Sequence, residues 1–342
     1  MSIGMADAVS KIQQLKTRIG ASVFGQDALI EEALCCLIAE GHLLMTGAPG
    51  LAKTTLVRVI SSQLGMNFGR VQFTPDLLPS DITGSEVLNV DSATGKRHFE
   101  FVSGPVFANL LLADEINRAS PRTQSALLEA MQERSVTVGG KRHALPNPFM
   151  VFATENPLES EGTFPLPEAQ LDRFLIHSLV QYPDRAAEQR MLMTHTEGSL
   201  AGERRDAGDD GDHVLNSAQL IEVVQLAKMI RVPEPIVSAI NDLVRSSRPG
   251  DSSCPEKLRS AIWFGAGPRA GIALLSTCRA LALISGHEVV GWQHVRRLAT
   301  PVMRHRIRLN ASAGRDGLTA DSLIEALIES LEKSHANALR GI

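Results

Sequence analysis

Apolar residues in this 342-residue chain follow two patterns, and the change falls near residues 184–216. Before it, short unbroken apolar runs alternate with helical spacing. Leu43-Leu44-Met45, Leu110-Leu111-Leu112-Ala113 and Phe149-Met150-Val151-Phe152-Ala153 have the length of strands buried on both faces, whereas Leu56, Val59, Ile60 and Leu64 share one helical face. Such alternation predicts a three-layer α/β unit around a parallel sheet. Beyond the change, the periodic segments read as helices: Ala218–Met229, Glu234–Ser246, Ile272–Ile284, Trp292–Ala299 and Ser322–Leu331. Leu200 is the only large apolar residue in Glu197–His213, so a mobile loop is expected there. The expected organisation is an α/β unit over residues 1–195, a flexible linker over 196–216 and an all-α unit over 217–342.

Smaller signals refine this outline. Ser120 followed by Pro121 marks a helix start, with the serine as N-cap and the proline at the first helical position. Residues 80–104 contain Gly84, a turn over Asn89–Gly95 and the alternating Phe99 and Phe101, the pattern of a β-hairpin. Ser135–Pro148, with Gly139-Gly140 at its tip, predicts a second hairpin.

The chemistry lies where the apolar runs stop. After Leu43-Leu44-Met45 comes Gly47-Ala48-Pro49-Gly50-Leu51-Ala52-Lys53-Thr54, a Walker A loop in all but one position. A strand feeding a glycine-rich turn that opens a helix points several backbone N–H groups, and the positive helix end, at one phosphate-sized spot. Lys53 can reach the β/γ-phosphates, and the Thr54 hydroxyl can hold Mg²⁺. The exception is Ala52, where the pattern has its second glycine; the extra methyl is tolerable if the residue keeps a negative φ. The run Leu110–Ala113 ends in Asp114 and Glu115, and carboxylates there are costly unless they face a cation or water. Asp114 can position Mg²⁺ and Glu115 can take a proton from the attacking water. The run from Phe149 ends before Asn156, which can orient that water. Three strands ending in polar chemistry place the ligand at the carboxyl ends of a parallel sheet. No Asn-Lys-X-Asp guanine-reading motif is present, which favours ATP over GTP.

These motifs carry a resemblance. Val23-Phe24-Gly25-Gln26, the loop at 47–54, Ala113-Asp114-Glu115-Ile116-Asn117-Arg118-Ala119 and Gln124-Ser125-Ala126-Leu127-Leu128-Glu129-Ala130-Met131 resemble the MoxR family of AAA+ ATPases. The likeness continues through Ala153-Thr154-Glu155-Asn156-Pro157, the stretch Pro167–Phe174 and Gly267-Pro268-Arg269-Ala270, in the family's order, from about residue 8 to 337. It implies a P-loop AAA+ core followed by an all-α lid, hydrolysing ATP with Mg²⁺ as cofactor. It adds Val23, Phe24, Gly25 and Thr55 to the nucleotide contacts of Gly47–Thr54. It makes Arg173 the arginine finger acting on a neighbouring subunit and Arg269 the sensor 2 residue of its own subunit, with Arg118 and Arg122 as competitors. It implies a hexameric ring that remodels, matures or activates a client protein, with a von Willebrand factor A domain partner. In such proteins hairpin insertions face the pore or a partner, so both predicted hairpins are candidates for client contact. The family usually keeps the glycine that Ala52 replaces, a departure that bears on turnover.

Composition agrees: 44% hydrophobic and 21% charged residues are ordinary for a globular chain. A net charge of −4, without a basic stripe interleaved with aromatics, argues against a nucleic-acid motor and against binding at an anionic membrane. Four cysteines without metal-ligand spacing read as thiols in a reducing compartment. No stretch has membrane-span length and no secretory h-region opens the sequence, so a cytoplasmic location is expected. Two further alternatives stay open: a chelatase-type motor subunit, which shares the Asp-Glu-Ile-Asn-Arg run, and a non-hydrolysing, nucleotide-gated scaffold. Trp263 and Trp292 read as core or edge residues of the lid, and the ten histidines show no metal-binding pair. Arg304-His305-Arg306 reads as a solvated face, a set of interdomain salt bridges or a hold for an acidic partner.

Overall fold

The computed structural model describes residues 3–90, 96–157, 162–196 and 213–334. The first half runs α1 (Met5–Gly20), α2 (Asp27–Ile38), β1 (Leu43–Thr46), α3 (Lys53–Gln63), β2 (Phe68–Gln72), α4 (Pro79–Thr83), β3 (Gly84–Val90) and β4 (Arg97–Ser103). It continues with β5 (Leu110–Asp114), α5 (Pro121–Glu133), β6 (Ser135–Val138), β7 (Lys141–Ala144), β8 (Met150–Glu155), α6 (Glu168–Leu171), β9 (Ile176–Leu179) and α7 (Arg185–Thr196). The C-terminal part comprises α8 (Ser217–Met229), α9 (Glu234–Ser246), α10 (Glu256–Arg259), β10 (Ile262–Phe264), α11 (Pro268–Ile284), α12 (Trp292–Met303), β11 (Arg308–Leu309), α13 (Ala311–Arg315) and α14 (Ala320–Ser334).

The apolar runs become the middle of a parallel five-stranded sheet in the order β2-β5-β8-β1-β9. Successive residues point to opposite faces, so an unbroken apolar strand serves two cores. In β5, Leu110 and Leu112 join the core beneath α1, α2 and α3, while Leu111 and Ala113 join the core beneath α5. The same division separates Met150 and Phe152 from Val151 and Ala153 in β8. The first core continues without a break into the C-terminal helices through Leu274, Cys278, Val295 and Leu298.

Local signals act as chemistry dictates. Ser120 Oγ accepts from the Thr123 amide at 3.4 Å, and Pro121 occupies the first turn of α5. Both hairpins form: β3 pairs with β4, whose connection 91–95 lies outside the described residues, and β6 pairs with β7 across Gly139 and Gly140 at φ 57° and 75°. Phe101 of the first hairpin stacks on His143 of the second, with centroids 3.9 Å apart. The loop expected over 197–213 falls outside the described residues except for His213, whose Nδ1 lies 2.8 Å from the Ser62 carbonyl.

Two features differ from the expectations, while the tryptophans take the core and edge places expected of them. Edge strands β2 and β9 lack an apolar run because each has only one sheet neighbour. The C-terminal part is helical but carries a two-stranded ribbon, β10 with β11, so it is not all-α. The indole of Trp263 on that ribbon is exposed beneath the Arg308 guanidinium, 5.3 Å from its ring centroid, whereas Trp292 is buried with its N–H on Glu332. Cys35, Cys36, Cys254 and Cys278 are buried free thiols, and burial raises the pKa of each. No helix among the described residues is long and apolar enough to cross a membrane.

Candidate nucleotide site

The glycine-rich loop leaves β1 where close packing demands glycine. A Cβ on Gly47 would stand 2.6 Å from the Val180 carbonyl oxygen, and Gly50 sits at φ 81° facing open space. Ala52 does not keep a negative φ: at φ 56° and ψ 17° it is left-handed, the conformation for which glycine is the usual choice. That geometry costs an alanine roughly 1–2 kcal/mol. The loop shape is nonetheless held, and α3 begins at Lys53 with the Leu56 amide donating to the Ala52 carbonyl at 2.9 Å.

Lys53 is the most informative side chain. It is buried, and its ammonium donates to the Gly47 carbonyl at 2.5 Å. Desolvation lowers its pKa, while the negative charges of Asp114 and Glu115 act to raise it. A buried cation resting on a neutral carbonyl is suited to an incoming anion.

The acids are positioned by neighbouring strands. Parallel register sets Gln72 beside Asp114. Asp114 accepts from the Thr154 hydroxyl at 2.6 Å and from Arg70 at 2.8 Å. Glu115, left-handed at φ 56°, donates its amide to the Thr154 hydroxyl at 2.8 Å, and its carboxylate accepts from Gln72 at 2.8 Å and Arg118 at 3.0 Å. Arg70 and Gln72 belong to no motif read in the sequence, and Thr154 enters there only as part of Ala153–Pro157, without a role. They lie in other strands, about forty residues from the acids, and the usable signal is a polar residue at the carboxyl end of a parallel strand. Asn156 is buried just past the end of β8, while Thr54 and Thr55 are half-buried in the first turn of α3.

Of the other expected residues, Arg118 reaches this cluster through Glu115, while Gly25, Arg173 and Arg269 make contacts elsewhere. Gly25, at φ 67°, packs so that a Cβ would meet that of Ala187 at 2.7 Å; beside it Val23 is buried and Phe24 half-buried. Arg173 donates to the Leu128 carbonyl of α5, beside Glu129, Gln132 and Glu133. Arg269 is exposed and pairs with Asp172 at 3.4 Å. Arg118 is engaged by Glu115 of its own chain, and Arg122 is exposed in the first turn of α5.

These residues fit a nucleoside polyphosphate: a backbone cradle with open space at Gly50, a buried ammonium, and the hydroxyl of Thr54 with the carboxylate of Asp114 as hard oxygen donors. The model of the ATPase family associated with various cellular activities (AAA) matches residues 42–176, and that of the AAA lid domain matches residues 258–327. The class is therefore a P-loop ATPase of the AAA type with its lid. The chaperone MoxR1 of Mycobacterium tuberculosis is 36% identical over 336 residues, covering 98% of this chain and 86% of its own length. The protein MoxR of Methylorubrum extorquens is 30% identical over 312 residues, covering 89% and 88%. A crystal structure of a candidate ATPase from Cytophaga hutchinsonii aligns with a TM-score of 0.85 at 34% identity, covering 95% of this chain and 96% of that one. The chain belongs to the MoxR family of AAA+ ATPase chaperones, and as such it binds nucleotide and hydrolyses ATP.

Proposed function

We propose that this ATPase works as a homo-oligomeric ring, a hexamer, in which Mg²⁺-dependent hydrolysis remodels or activates a client protein. The observation that carries the reading is that Lys53 feels the charges of Asp114 and Glu115, whereas Arg173, in the turn before β9, donates to the Leu128 carbonyl of α5. A site that gathers its base and phosphate cation but not its finger is completed by a second subunit.

In this reading Lys53 and the amides of residues 47–55 hold the phosphates, and Val23, Phe24 and Gly25 border the base. Thr54 and Asp114 would hold Mg²⁺, which when bound neutralises phosphate charge. Arg70, paired with Asp114 at 2.8 Å, would have to release that carboxylate before it could serve the ion. Glu115 accepts the proton of the attacking water, and Asn156 orients that water. Gln72 and Arg118 fix the Glu115 carboxylate and lower its basicity until they let go. Arg173 enters the neighbour's site, and Arg269 approaches the nucleotide of its own subunit. Client contact falls to the two hairpins, the first of which exposes Val87, Leu88, Val90, Phe99 and Val102. A von Willebrand factor A domain protein is the proposed partner, by the family likeness, and the cytoplasm the proposed location.

The test is ATP hydrolysis against protein concentration, with Glu115→Gln and Arg173→Ala alongside. Specific activity rises cooperatively with concentration, and each variant loses at least about 100-fold in turnover while still binding ATP. Concentration-independent activity, or full turnover by Arg173→Ala, removes the shared-site reading.

A further inference from the structure

Arg304, His305 and Arg306 follow α12, and all three reach back to residues 172–177, the segment that carries Arg173 and leads into β9. Arg304 donates to the His177 carbonyl at 2.8 Å while gripping Asp321 of α14 through two hydrogen bonds of 2.9 and 2.8 Å. The His305 ring nitrogen Nε2 lies 3.1 Å from the Phe174 carbonyl. Arg306, its side chain only 4% exposed, spans Arg173 on both sides. Its Nε donates to the Asp172 carboxylate at 2.8 Å, one terminal nitrogen donates to the Phe174 carbonyl at 2.7 Å, and the other to Leu175 at 3.3 Å and to Val302. The second Asp172 oxygen receives Arg269, also from the C-terminal part.

We propose that Arg306 is a positioning residue for Arg173, and that Arg304-His305-Arg306 is the latch through which the lid's position sets the reach of that arginine into the neighbouring subunit. This rests on the reading that Arg173 acts in trans. A planar guanidinium offers several donors in one rigid fork, so it fixes the backbone at residues 172, 174 and 175 relative to α12. The peptide carrying Arg173 therefore moves with the lid. Arg269 and Arg306 share one carboxylate, so drawing Arg269 towards nucleotide changes the charge balance at the residue next to Arg173. β9, which follows this segment, also reaches the subunit's own phosphate loop, because His177 Nε2 lies 2.8 Å from the hydroxyl of Thr46, the residue before Gly47.

The test uses mixed rings. Arg306→Lys keeps the charge beside Asp172 but cannot span both flanking carbonyls. Alone, it lowers kcat at least about tenfold, with unchanged affinity for a fluorescent ATP analogue and a cooperative thermal transition. Mixed with Glu115→Gln subunits, which are themselves inactive but carry an intact Arg173, it regains turnover, because its own site receives a properly held finger. Arg173→Ala mixed with Glu115→Gln is the control. Rescue of Arg173→Ala without rescue of Arg306→Lys overturns the latch and leaves the trans reading standing. Failure to rescue either one overturns the trans reading itself, and the latch with it. Full turnover by Arg306→Lys alone also overturns the latch. If that variant does not fold, Asp172→Asn enters the same mixtures with the same outcomes.

Discussion

Two arginine–carboxylate pairs in this molecule have the same 2.8 Å separation and different fates. Arg70 meets Asp114 at the mouth of the nucleotide site with its side chain 46% exposed, whereas Arg306 meets Asp172 with its side chain 4% exposed. Opening the first pair returns Arg70 to water, and Asp114, though only 15% exposed, keeps the Thr154 hydroxyl, so Asp114 can exchange Arg70 for a ligand. In the second, Arg306 without Asp172 would be stranded as a buried charge. Removing Arg306 would take its donor from the Phe174 and Leu175 carbonyls, although Asp172, 29% exposed, would keep Arg269. Distance alone does not separate a replaceable contact from a fixed one; burial does.

Equilibrium denaturation of paired variants tests that distinction most severely. Arg306→Met should lose about 3–5 kcal/mol of stability, and Arg70→Met less than about 1 kcal/mol. Similar losses for the two would break the comparison. A smaller effect comes from a buried group with no charge partner. His42 accepts the Val151 amide on Nδ1 at 3.0 Å and lies 3.4 Å from the Met131 carbonyl through Nε2, an arrangement that requires the neutral ring. Burial lowers its pKa from 6.5 to about 4. Below pH 6.5 the unfolded chain therefore binds a proton that the folded chain refuses, so stability falls as pH drops from 6.5 to about 4 and the loss then levels off. The His42 share should reach about 2 kcal/mol at pH 5, read as the difference in stability-versus-pH slope between wild type and His42→Gln. Equal slopes would show that burial at this position has no such weight. The smallest effect is expected in the open loop. Ala52→Gly relieves a left-handed alanine but frees the unfolded chain, and should gain up to about 1 kcal/mol in thermal unfolding. A loss would mean that the alanine methyl makes a contact worth more than its backbone strain.

The same contrast explains what the amino-acid order makes readable. Leu110–Ala113 and Phe149–Ala153 announce themselves because burial on both faces leaves no polar position, and Asp114 and Glu115 stand out against them. Ser120-Pro121 and Gly139-Gly140 are equally plain, since capping and turns are local. Gln72 and Thr154 are not readable in that way: each matters through a partner in another strand, and only the parallel register brings them together. Of the readings open for Arg304-His305-Arg306, salt bridges between the two parts hold and a solvated face does not, because His305 and Arg306 are buried. That outcome depends on Asp172, about 130 residues away. The backbone of Ala52 was the least accessible, since the octapeptide pattern names a residue type but not the φ it adopts.

The four buried thiols carry a practical consequence. Thiolate is the reactive form, and burial pushes every cysteine of this chain away from it. The native molecule is thus a nearly silent background for maleimide chemistry at neutral pH. A single cysteine introduced by Phe99→Cys becomes the one addressable position, and a dye there can report on the hairpin without removing any native cysteine.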